Sequence, residues 1–171
     1  CVVIHGTHNV TIQDNVAYNN FGHCYMTEDG FEYDNKFIGN LGAQTKIMPE
    51  QFLLDDIETD DQPGTFWFSN PMNDVIGNVA AGSEGEGIWW ELKTAIRGPS
   101  MALAPPGINP LFLPGGRIEN NIAHSNVRHG MTVYLNGWFP EKQTTWLNPR
   151  AYKNGLTGVF YHATRNMKMV G

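Results

Sequence analysis

Short runs of β-branched and aromatic residues recur along the chain, and glycine, asparagine or proline bounds most of them. Their length and composition predict β-strands. No window holds an apolar stripe with a period of 3.6 residues over three turns, so helices are expected to be scarce. The clearest strand-like runs are residues 10–12, 65–68, 88–90, 131–135 and 159–161.

Two longer patterns repeat between these runs. The first reads apolar, any two residues, Asn, aliphatic, then Ala or Gly, and it occurs at residues 12–17, 37–42, 75–80 and 118–123. The second reads Ala, Asn three residues later and Gly four after that, and it occurs at residues 123–130 and 151–158, with Ser for Asn at 80–87 and in shortened form at 17–22. Self-similarity of this kind indicates stacked units. Units built from short strands predict an all-β parallel β-helix, a solenoid.

The spacing of the repeats predicts where the solenoid carries extra chain. Ala123 and Ala151 lie close to one coil apart, whereas the earlier repeats are further apart. Insertions in a solenoid are looped out of the repeat. We therefore expect a single β-helix over residues 1–171 with long loop insertions at about 45–64, 98–116 and 136–149. Neither end of the sequence carries a polar cap, so we expect this domain to be a segment of a longer chain.

The recurring Asn also has a physical explanation. Asn tolerates left-handed backbone at a tight corner, and stacked side-chain amides can bond along the axis of a β-ladder. We expect the Asn residues to occupy corners of successive coils.

Composition excludes some classes of partner. Aromatic residues make up 12% of the chain and hydrophobic residues 41%, which argues against disorder. The net charge is −6 and the 11 Lys and Arg residues are scattered, so nucleic acid is not an expected partner. No segment has the apolar length that spans a bilayer, and we expect no membrane insertion here.

An acidic run interrupts the first predicted insertion, at Glu50, Asp55, Asp56, Glu58, Asp60 and Asp61. Such a run is typical of a solvated loop. Calcium, which prefers several carboxylate oxygens, is the alternative, although the spacing matches no EF-hand loop.

Cys1 and Cys24 lie about one coil apart. Neighbouring strands are separated by roughly 4.8 Å, and a disulfide needs a Cα separation of about 4.4–6.8 Å. The two cysteines can therefore form a disulfide, and the alternatives are a buried Cys24 thiol and a Cys1 that pairs outside this sequence. Asn9 begins a glycosylation sequon, Asn9-Val10-Thr11, which a secreted protein would use.

Polar residues concentrate near the start of the chain, and four of them are candidate catalytic residues: His5, His23, Glu28 and Asp29. A register of one coil places His5 beside Glu28. A histidine beside a carboxylate can act as an acid and base pair or as a metal ligand. The alternative is that His23 and Glu28 cap hydrogen bonds at a corner of a coil.

Polysaccharide cleavage would require a second carboxylate across the scissile bond. With Glu28 or Asp29 as the acid, the candidate bases are Glu84 and Glu86. A lyase would instead use a histidine or Arg128 to abstract the proton, with calcium neutralising a uronate.

Aromatic residues in the middle of the chain predict a carbohydrate-binding surface formed by Trp67, Trp89 and Trp90, with Arg128. Alternation along a strand sends one ring of each neighbouring pair outward and the other into the core. An outward ring beside carboxylates and amides suits an extended sugar chain. The apolar residues of the Pro-rich insertion, among them Met101 and Leu103, must pack on the parent coil or on a second copy of the chain.

Several motifs together resemble the β-helix region of the G8-domain proteins. They are His5-Gly6-Thr7-His8-Asn9, Gly22-His23-Cys24, Thr27-Glu28-Asp29-Gly30, Thr65-Phe66-Trp67, Asn70-Pro71, Ala80-Ala81-Gly82-Ser83-Glu84 and Ala123-His124-Ser125-Asn126. They appear in the family's order and cover roughly residues 1 to 135. The resemblance implies a right-handed parallel β-helix from an extracellular or cell-surface protein. For some members it also implies hyaluronan binding or calcium-dependent depolymerisation.

These observations predict an extracellular structural or carbohydrate-interacting module of a larger fibrous or cell-surface protein. Its expected partners are an extracellular glycan or further copies of itself. The alternative is a calcium-dependent depolymerase of a hyaluronan-like polysaccharide, acting as a glycoside hydrolase or a lyase.

Overall fold

The computed structural model describes residues 1–53, 59 and 61–171. Its strands form three parallel sheets, A, B and C, to which each coil of the chain contributes one strand in turn. Sheet A contains β1 (Val2–Ile4), β4 (Tyr25–Thr27), β7 (Gly64–Phe68), β10 (Glu86–Trp90), β13 (Met131–Val133) and β16 (Val159–Tyr161). Sheet B contains β2 (Thr11–Gln13), β5 (Lys36–Ile38), β8 (Asp74–Ile76), β11 (Ile118–Glu119), β14 (Thr144–Leu147) and β17 (Met167–Val170). Sheet C contains β3 (Val16–Tyr18), β6 (Leu41–Ala43), β9 (Val79–Ala81), β12 (Ile122–His124) and β15 (Arg150–Tyr152).

This arrangement is a parallel β-helix, as the repeats predicted. Each strand from β1 to β14 pairs in parallel with the strand three places further along the chain. Coils one to six begin with β1, β4, β7, β10, β13 and β16. The helices of the described residues are short 3₁₀ turns at Glu50–Phe52, Pro99–Ala102 and Pro110–Phe112. Strands of two to five residues are too short to be stable alone, so stacking of the coils supplies the hydrogen bonds and the core.

The two repeated sequence patterns coincide with the register of the sheets. Ile12, Phe37, Val75 and Ile118 are opposite one another in sheet B. Ala17, Gly42, Ala80, Ala123 and Ala151 are opposite one another in sheet C. These residues point into the interior, where sheet A supplies the large side chains and sheet C supplies small ones. A Cβ on Gly42 would collide with Thr65 Cγ2, which explains why coil two has Gly where the other coils have Ala.

The interior is filled by aromatic side chains that pack from coil to coil. The ring of Tyr25 stacks on Phe66 with centroids 4.8 Å apart, and Phe68 lies 5.5 Å from Trp90. Trp90 in turn lies 4.6 Å from Trp146. Because these side chains are almost completely buried, each contributes about 1.5–3 kcal/mol of hydrophobic stabilisation.

Asparagine side chains form a ladder at the corner between sheets B and C. Asn15 Nδ2 donates to Asn40 Oδ1 at 3.0 Å, Asn40 Nδ2 donates to Asn78 Oδ1 at 3.0 Å, and Asn78 Nδ2 donates to Asn121 Oδ1 at 3.2 Å. A second ladder joins Asn126 to Asn154 at 2.9 Å. The stacking is as the sequence predicted, but the left-handed backbone belongs to the residue before each rung: Asp14, Gly39, Gly77 and Asn120 precede the first ladder's four members.

The three longest connections lie near the predicted insertions with different limits. They run over residues 44–63, 91–117 and 134–143. The third is shorter than its sequence suggested because β14 begins at Thr144, and Trp146 therefore lies in the core with no exposed surface. The second begins directly after β10, and it contacts the third connection, where the N–H of Phe139 donates to the carbonyl of Leu111 at 2.7 Å.

The second connection leaves part of its apolar surface exposed. Leu111 is buried against the core, whereas Met101 and Leu103 are 64% and 66% exposed. Asp55, Asp56, Glu58 and Asp60 of the predicted acidic loop lie outside the described residues.

A disulfide joins Cys1 to Cys24, with the two Cα atoms 4.5 Å apart. Val2 and Tyr25 are opposite one another in sheet A, so the two cysteines occupy equivalent positions on coils one and two. The bond covalently links the first coil to the second.

Candidate functional site on the outer face of sheet A

Two rows of side chains, with one residue from each coil, lie along the outer side of sheet A. The first row is called the aromatic row after its rings, Trp67, Trp89 and Phe160. It also contains Val3, Met26 and Thr132, and all six residues are in register on successive strands. The edge row consists of the residues that directly follow the six strands, His5, Glu28, Ser69, Glu91, Tyr134 and His162. Met26, Trp67 and Trp89 form a cluster separate from the interior core, and Tyr134 packs against it.

The predicted carbohydrate-binding tryptophans follow the expected alternation, but they are not exposed. Trp67 and Trp89 point outward, with 2% and 1% of their surface accessible. Trp90 points inward, is 1% exposed and packs on Trp146, so a glycan has no access to it in this structure. Alternation gives the direction of a side chain, whereas exposure depends on the neighbouring side chains and connections that cover the sheet.

His23, Glu91 and Lys93 surround Trp67. The imidazole of His23 stacks on the indole with centroids 4.4 Å apart, and Lys93 Nζ lies 5.0 Å from the centroid of the Trp67 ring. Trp67 Nε1–H donates to Glu91 Oε2 at 2.8 Å, and Lys93 Nζ pairs with the other oxygen of the same carboxylate. Because Glu91 is 1% exposed and Lys93 4%, this is a buried ion pair on the outer side of the sheet.

Burial keeps His23 neutral. The pKa of His23 falls to about 3 because burial penalises the imidazolium, and the positive charge of Lys93 lowers this pKa further. The N–H of Gly64 donates to Nδ1 at 3.0 Å, so the proton of the neutral ring is on Nε2 and can be donated to Thr59 Oγ1 at 3.2 Å. His23 is thus held in one tautomer by its neighbours, and a ring with so low a pKa is a poor proton acceptor at neutral pH.

Three of the four predicted catalytic residues meet after the first two strands of sheet A. His5 Nδ1 lies 3.5 Å from Glu28 Oε2 and 3.3 Å from Asp29 Oδ1. The side chains of His5 and Glu28 are 41% and 33% exposed, whereas that of Asp29 is 3% exposed. His23 precedes β4 while Glu28 follows it, so His23 lies at the opposite end of this strand.

Glu32, which the sequence analysis did not single out, lies beside these residues. It is fully buried and accepts three backbone N–H bonds, from Gly6 at 2.9 Å, from Asp29 at 3.2 Å and from Gly30 at 3.0 Å. Only its spacing of three and four residues from Asp29 and Glu28 could have indicated it. Any turn rich in acidic residues shares that spacing.

At the other end of sheet A, Glu86 holds Arg128 and His129. Arg128 Nε lies 2.9 Å from Glu86 Oε1, an ion pair by distance without an aligned hydrogen bond. The N–H of His129 donates to Glu86 Oε2 at 2.9 Å, and His129 Nδ1 lies 3.0 Å from the same oxygen. Glu86 is 1% exposed, whereas one third of the Arg128 side chain is accessible.

The register separates the predicted acid from the predicted base. Glu86 pairs with Gly64 at the beginning of sheet A, whereas Glu28 follows Thr27, which pairs with Phe68 at its end. Five residues at about 3.3 Å each place the two backbone positions roughly 16 Å apart along the strands. Carboxylates that flank one glycosidic bond are about 5–9.5 Å apart. The other predicted base, Glu84, accepts the N–H of Ile47 through Oε2. Glu86 and Glu28 thus lie at opposite ends of sheet A, and Glu86 is held at its end by Arg128 and His129.

On coils five and six of this face, four rings lie close together. His129 stacks on Phe160 with centroids 4.8 Å apart, Tyr134 lies 6.2 Å from Phe160, and His162 lies 5.4 Å from Tyr134. Phe160 and Tyr134 are half-buried and His162 is exposed. We call His129, Tyr134, Phe160 and His162 the ring cluster; Arg128, beside His129, is its nearest cation in the sequence.

Comparison with known proteins assigns the fold to a family. The family model described as the CEMIP beta-helix matches residues 1–131. The chain is 38% identical over 152 residues to the human cell migration-inducing and hyaluronan-binding protein, and it is 32% identical over 155 residues to the human cell surface hyaluronidase CEMIP2. Each alignment covers 78% of this chain and 11% of the relative.

A third relative is human fibrocystin-L, which is 32% identical over 133 residues, covering 78% of this chain and 3% of that protein. The chain thus spans about a tenth or less of the length of these relatives. Within the described residues, no helix has the length and apolar character needed to cross a membrane. With the parallel β-helix, the family match and these identities together, the chain belongs to the CEMIP β-helix family.

Proposed function

We propose that this chain is an extracellular, carbohydrate-interacting β-helix module and that its glycan contacts the ring cluster on coils five and six. The observation that carries the proposal is the partly exposed group of Tyr134, Phe160 and His162 close to the Arg128 and His129 pair. Aromatic faces bind the apolar faces of sugar rings by stacking, while polar groups at their rim bind the hydroxyls.

Arg128 is suited to a polysaccharide that carries carboxylates. A guanidinium offers five N–H donors in a planar fork. Glu86 lies close to Nε of Arg128, and one third of the side chain remains accessible. The buried Glu86 therefore positions the arginine, and the accessible part of its side chain is the proposed contact for a uronate.

The relatives support the class of ligand and the location. One is named as hyaluronan-binding and another as a cell surface hyaluronidase. A module from such a protein would meet its glycan outside the cell. The exposed sequon residue Asn9 and the disulfide of Cys1 and Cys24 agree with an oxidising, glycosylating compartment.

The predicted tryptophans take a supporting role in this proposal. Trp67 and Trp89 lie in the same aromatic row as Phe160 and provide a rigid base for the face. Trp90 stabilises the interior. The proposed sugar contacts thus shift from Trp67, Trp89 and Trp90 to Tyr134, Phe160 and His162, while Arg128 stays.

The test is binding of hyaluronan oligosaccharides by isothermal titration calorimetry, with neutral glycans for comparison. Phe160→Ala and Arg128→Ala should each weaken binding about tenfold, because each removes roughly 1–2 kcal/mol of stacking or ion pairing. Tyr152→Ala is the matched control, since Tyr152 is an exposed ring on sheet C that stacks on His124. Equal affinity of all variants, or no binding by the folded chain, would refute this assignment.

The second candidate function is polysaccharide cleavage, which the contact of His5 with Glu28 and Asp29 favours. His5 and Glu28 are both accessible, and the buried Asp29 can hold the imidazole in one orientation. A Glu28→Gln variant should lose depolymerising activity measured by size-exclusion chromatography, with and without calcium. If the unaltered chain leaves hyaluronan intact under both conditions, cleavage by this module is excluded.

A further inference from the structure

We propose that His5, Asp29 and Glu32, with the hydroxyl of Ser100 beside them, bind a divalent transition-metal ion of the Zn²⁺ or Mn²⁺ kind. One ligand atom from each of His5, Asp29 and Glu32 lies within 4.8 Å of the other two. Two metal–ligand bonds of about 2.0–2.2 Å span up to about 4.4 Å, which covers the 3.3 Å between His5 Nδ1 and Asp29 Oδ1; any pair close to the 4.8 Å limit would move together by a few tenths of an ångström on binding. This site is on coils one and two and does not rest on the proposed glycan contacts of coils five and six.

The charge of this region favours a cation. Glu28, Asp29 and Glu32 contribute three carboxylates, and the last two are almost fully buried. Among the ion pairs of the described residues, these carboxylates have only His5 as a partner. Backbone N–H groups replace part of the hydration of Asp29 and Glu32, but two buried carboxylates this close together also repel each other, which costs free energy unless a cation lies between them. A bound divalent ion would neutralise this excess.

The carboxylates are held in position by the backbone. Glu32 is fixed by the N–H groups of Gly6, Asp29 and Gly30. Asp29 Oδ2 accepts the N–H of Ser100 at 3.0 Å, and its Oδ1 faces His5. Outer contacts of this type orient metal ligands and reduce the cost of assembling them. The half-exposed His5 provides the side from which an ion enters.

Ser100 gives an independent indication of a missing ligand. Its side chain is fully buried, and its Oγ has no hydrogen-bond partner among the residues that the structure describes. The Oγ lies 3.2 Å from the point that a Cβ on Gly6 would occupy, and the N–H of Gly6 donates to Glu32 Oε1. The hydroxyl is therefore beside the group of ligand atoms. Buried hydroxyls are almost always paired, and a bound ion or its water would pair this one.

The donor set distinguishes between metals. Calcium takes six to eight oxygen ligands, whereas an imidazole nitrogen with two carboxylates suits Zn²⁺, Mn²⁺ and similar ions. Both cysteines of the sequence are in the disulfide, so no thiolate competes for the metal. The residues here thus fit a transition metal better than the calcium that the family resemblance implies.

The experiment uses untagged chain that has been stripped of metal with a chelator. Zn²⁺, Mn²⁺ and Ca²⁺ are titrated separately by calorimetry, and Co²⁺ is added as a spectroscopic probe of nitrogen and oxygen ligation. We expect one Zn²⁺ or Mn²⁺ per chain, with affinity reduced at least tenfold in His5→Ala and in Asp29→Asn. His124→Ala is the matched control because it removes an imidazole from sheet C, and it should bind as the unaltered chain does.

Retention of full affinity in His5→Ala would overturn the proposal, and so would the absence of saturable binding. Tighter binding of Ca²⁺ than of Zn²⁺ or Mn²⁺ would overturn the assigned metal class. His5 is 41% exposed, so its variant should fold even if Asp29→Asn does not. Circular dichroism checks both variants before titration. Loss of glycan binding by Phe160→Ala has no bearing on these results.

Discussion

His23 is the residue whose chemistry depends most strongly on its surroundings. Met26, Trp67 and Trp89 face outward with it, yet all are shielded from water. In this setting the imidazole remains neutral, with a pKa of about 3 against 6.5 in the unfolded chain. The unfolded state therefore binds a proton between these two values and the folded state does not.

This difference predicts acid sensitivity. As the pH falls from 7 to 5, His23 should reduce the free energy of unfolding by about 2 kcal/mol, because only the unfolded chain is protonated there. Urea denaturation of the unaltered chain and of His23→Gln at the two pH values measures this contribution. The His124→Gln control should keep the full pH dependence. An unchanged slope in His23→Gln would show that burial does not suppress protonation of His23.

Asn78 should contribute more to stability than a surface asparagine. Its Oδ1 accepts from both the N–H and the side chain of Asn40, and its Nδ2 donates to the carbonyl of Phe37 at 2.8 Å. Asn78→Ala leaves these buried groups unpaired and should cost about 2–4 kcal/mol. Asn15→Ala, at the exposed end of the same ladder, should cost under about 1 kcal/mol. Chemical denaturation measures the loss of unfolding free energy in both variants. Equal losses would show that a buried rung of the ladder contributes no more than an exposed one.

At the scale of the strands, sheet C is limited to small inward residues. Gly42 approaches Thr65 of sheet A too closely for any added carbon. Gly42→Ala should therefore reduce the free energy of unfolding by about 1–3 kcal/mol through overpacking. Ala81→Val is the matched control, since Ala81 lies on the outward side of the same sheet. Thermal unfolding compares the stability of the two variants. A larger loss of stability in Ala81→Val than in Gly42→Ala would contradict overpacking as the cause.

The elements were predictable where the sequence repeats. Ile12, Phe37, Val75 and Ile118 recur because each coil needs one large apolar side chain at the same point of its interior. Trp146 falls within the predicted insertion at 136–149, although its ring fills the core. The first repeated pattern has no clear copy in the coil that contains β14. The sequence therefore does not reveal where β14 begins.

The candidate sites were less predictable than the fold. Counting one coil along the sequence predicts that His5 lies next to Glu28, because the length of a coil fixes the register. The structure places the two side chains in contact. It does not reveal that Glu32 folds back onto Gly6 or that Ser100 approaches Asp29 from 71 residues away. The covering of Trp67 and Trp89 depends on how long connections return to the sheet. The path of a connection leaves no periodic pattern in the sequence, so the covering of these two rings could not be predicted.

For the whole molecule, each coil contacts only its neighbours, so stability is distributed along the axis. We expect slow amide exchange in β7 and β10, which have neighbours on both sides, and faster exchange in β1 and β16. Reduction of the disulfide should accelerate exchange in β1 roughly 100-fold, because the closed loop between Cys1 and Cys24 is worth about 3 kcal/mol. Hydrogen-exchange mass spectrometry measures the exchange rates of these strands before and after reduction. β16, which the disulfide does not contact, is the internal reference. A uniform acceleration over all coils would show that the solenoid unfolds as one unit.

The asparagine ladder has a direction. Every rung donates toward the later coil, from Asn15 to Asn40, Asn78 and Asn121, and Pro149 follows where the next rung would be. An interior coil therefore brings both the acceptor required by the coil before it and the donor required by the coil after it. Duplication or deletion of such a coil would keep the ladder's hydrogen bonds at both junctions. The coil with Pro149 lacks this property, since it would interrupt the ladder wherever it was copied.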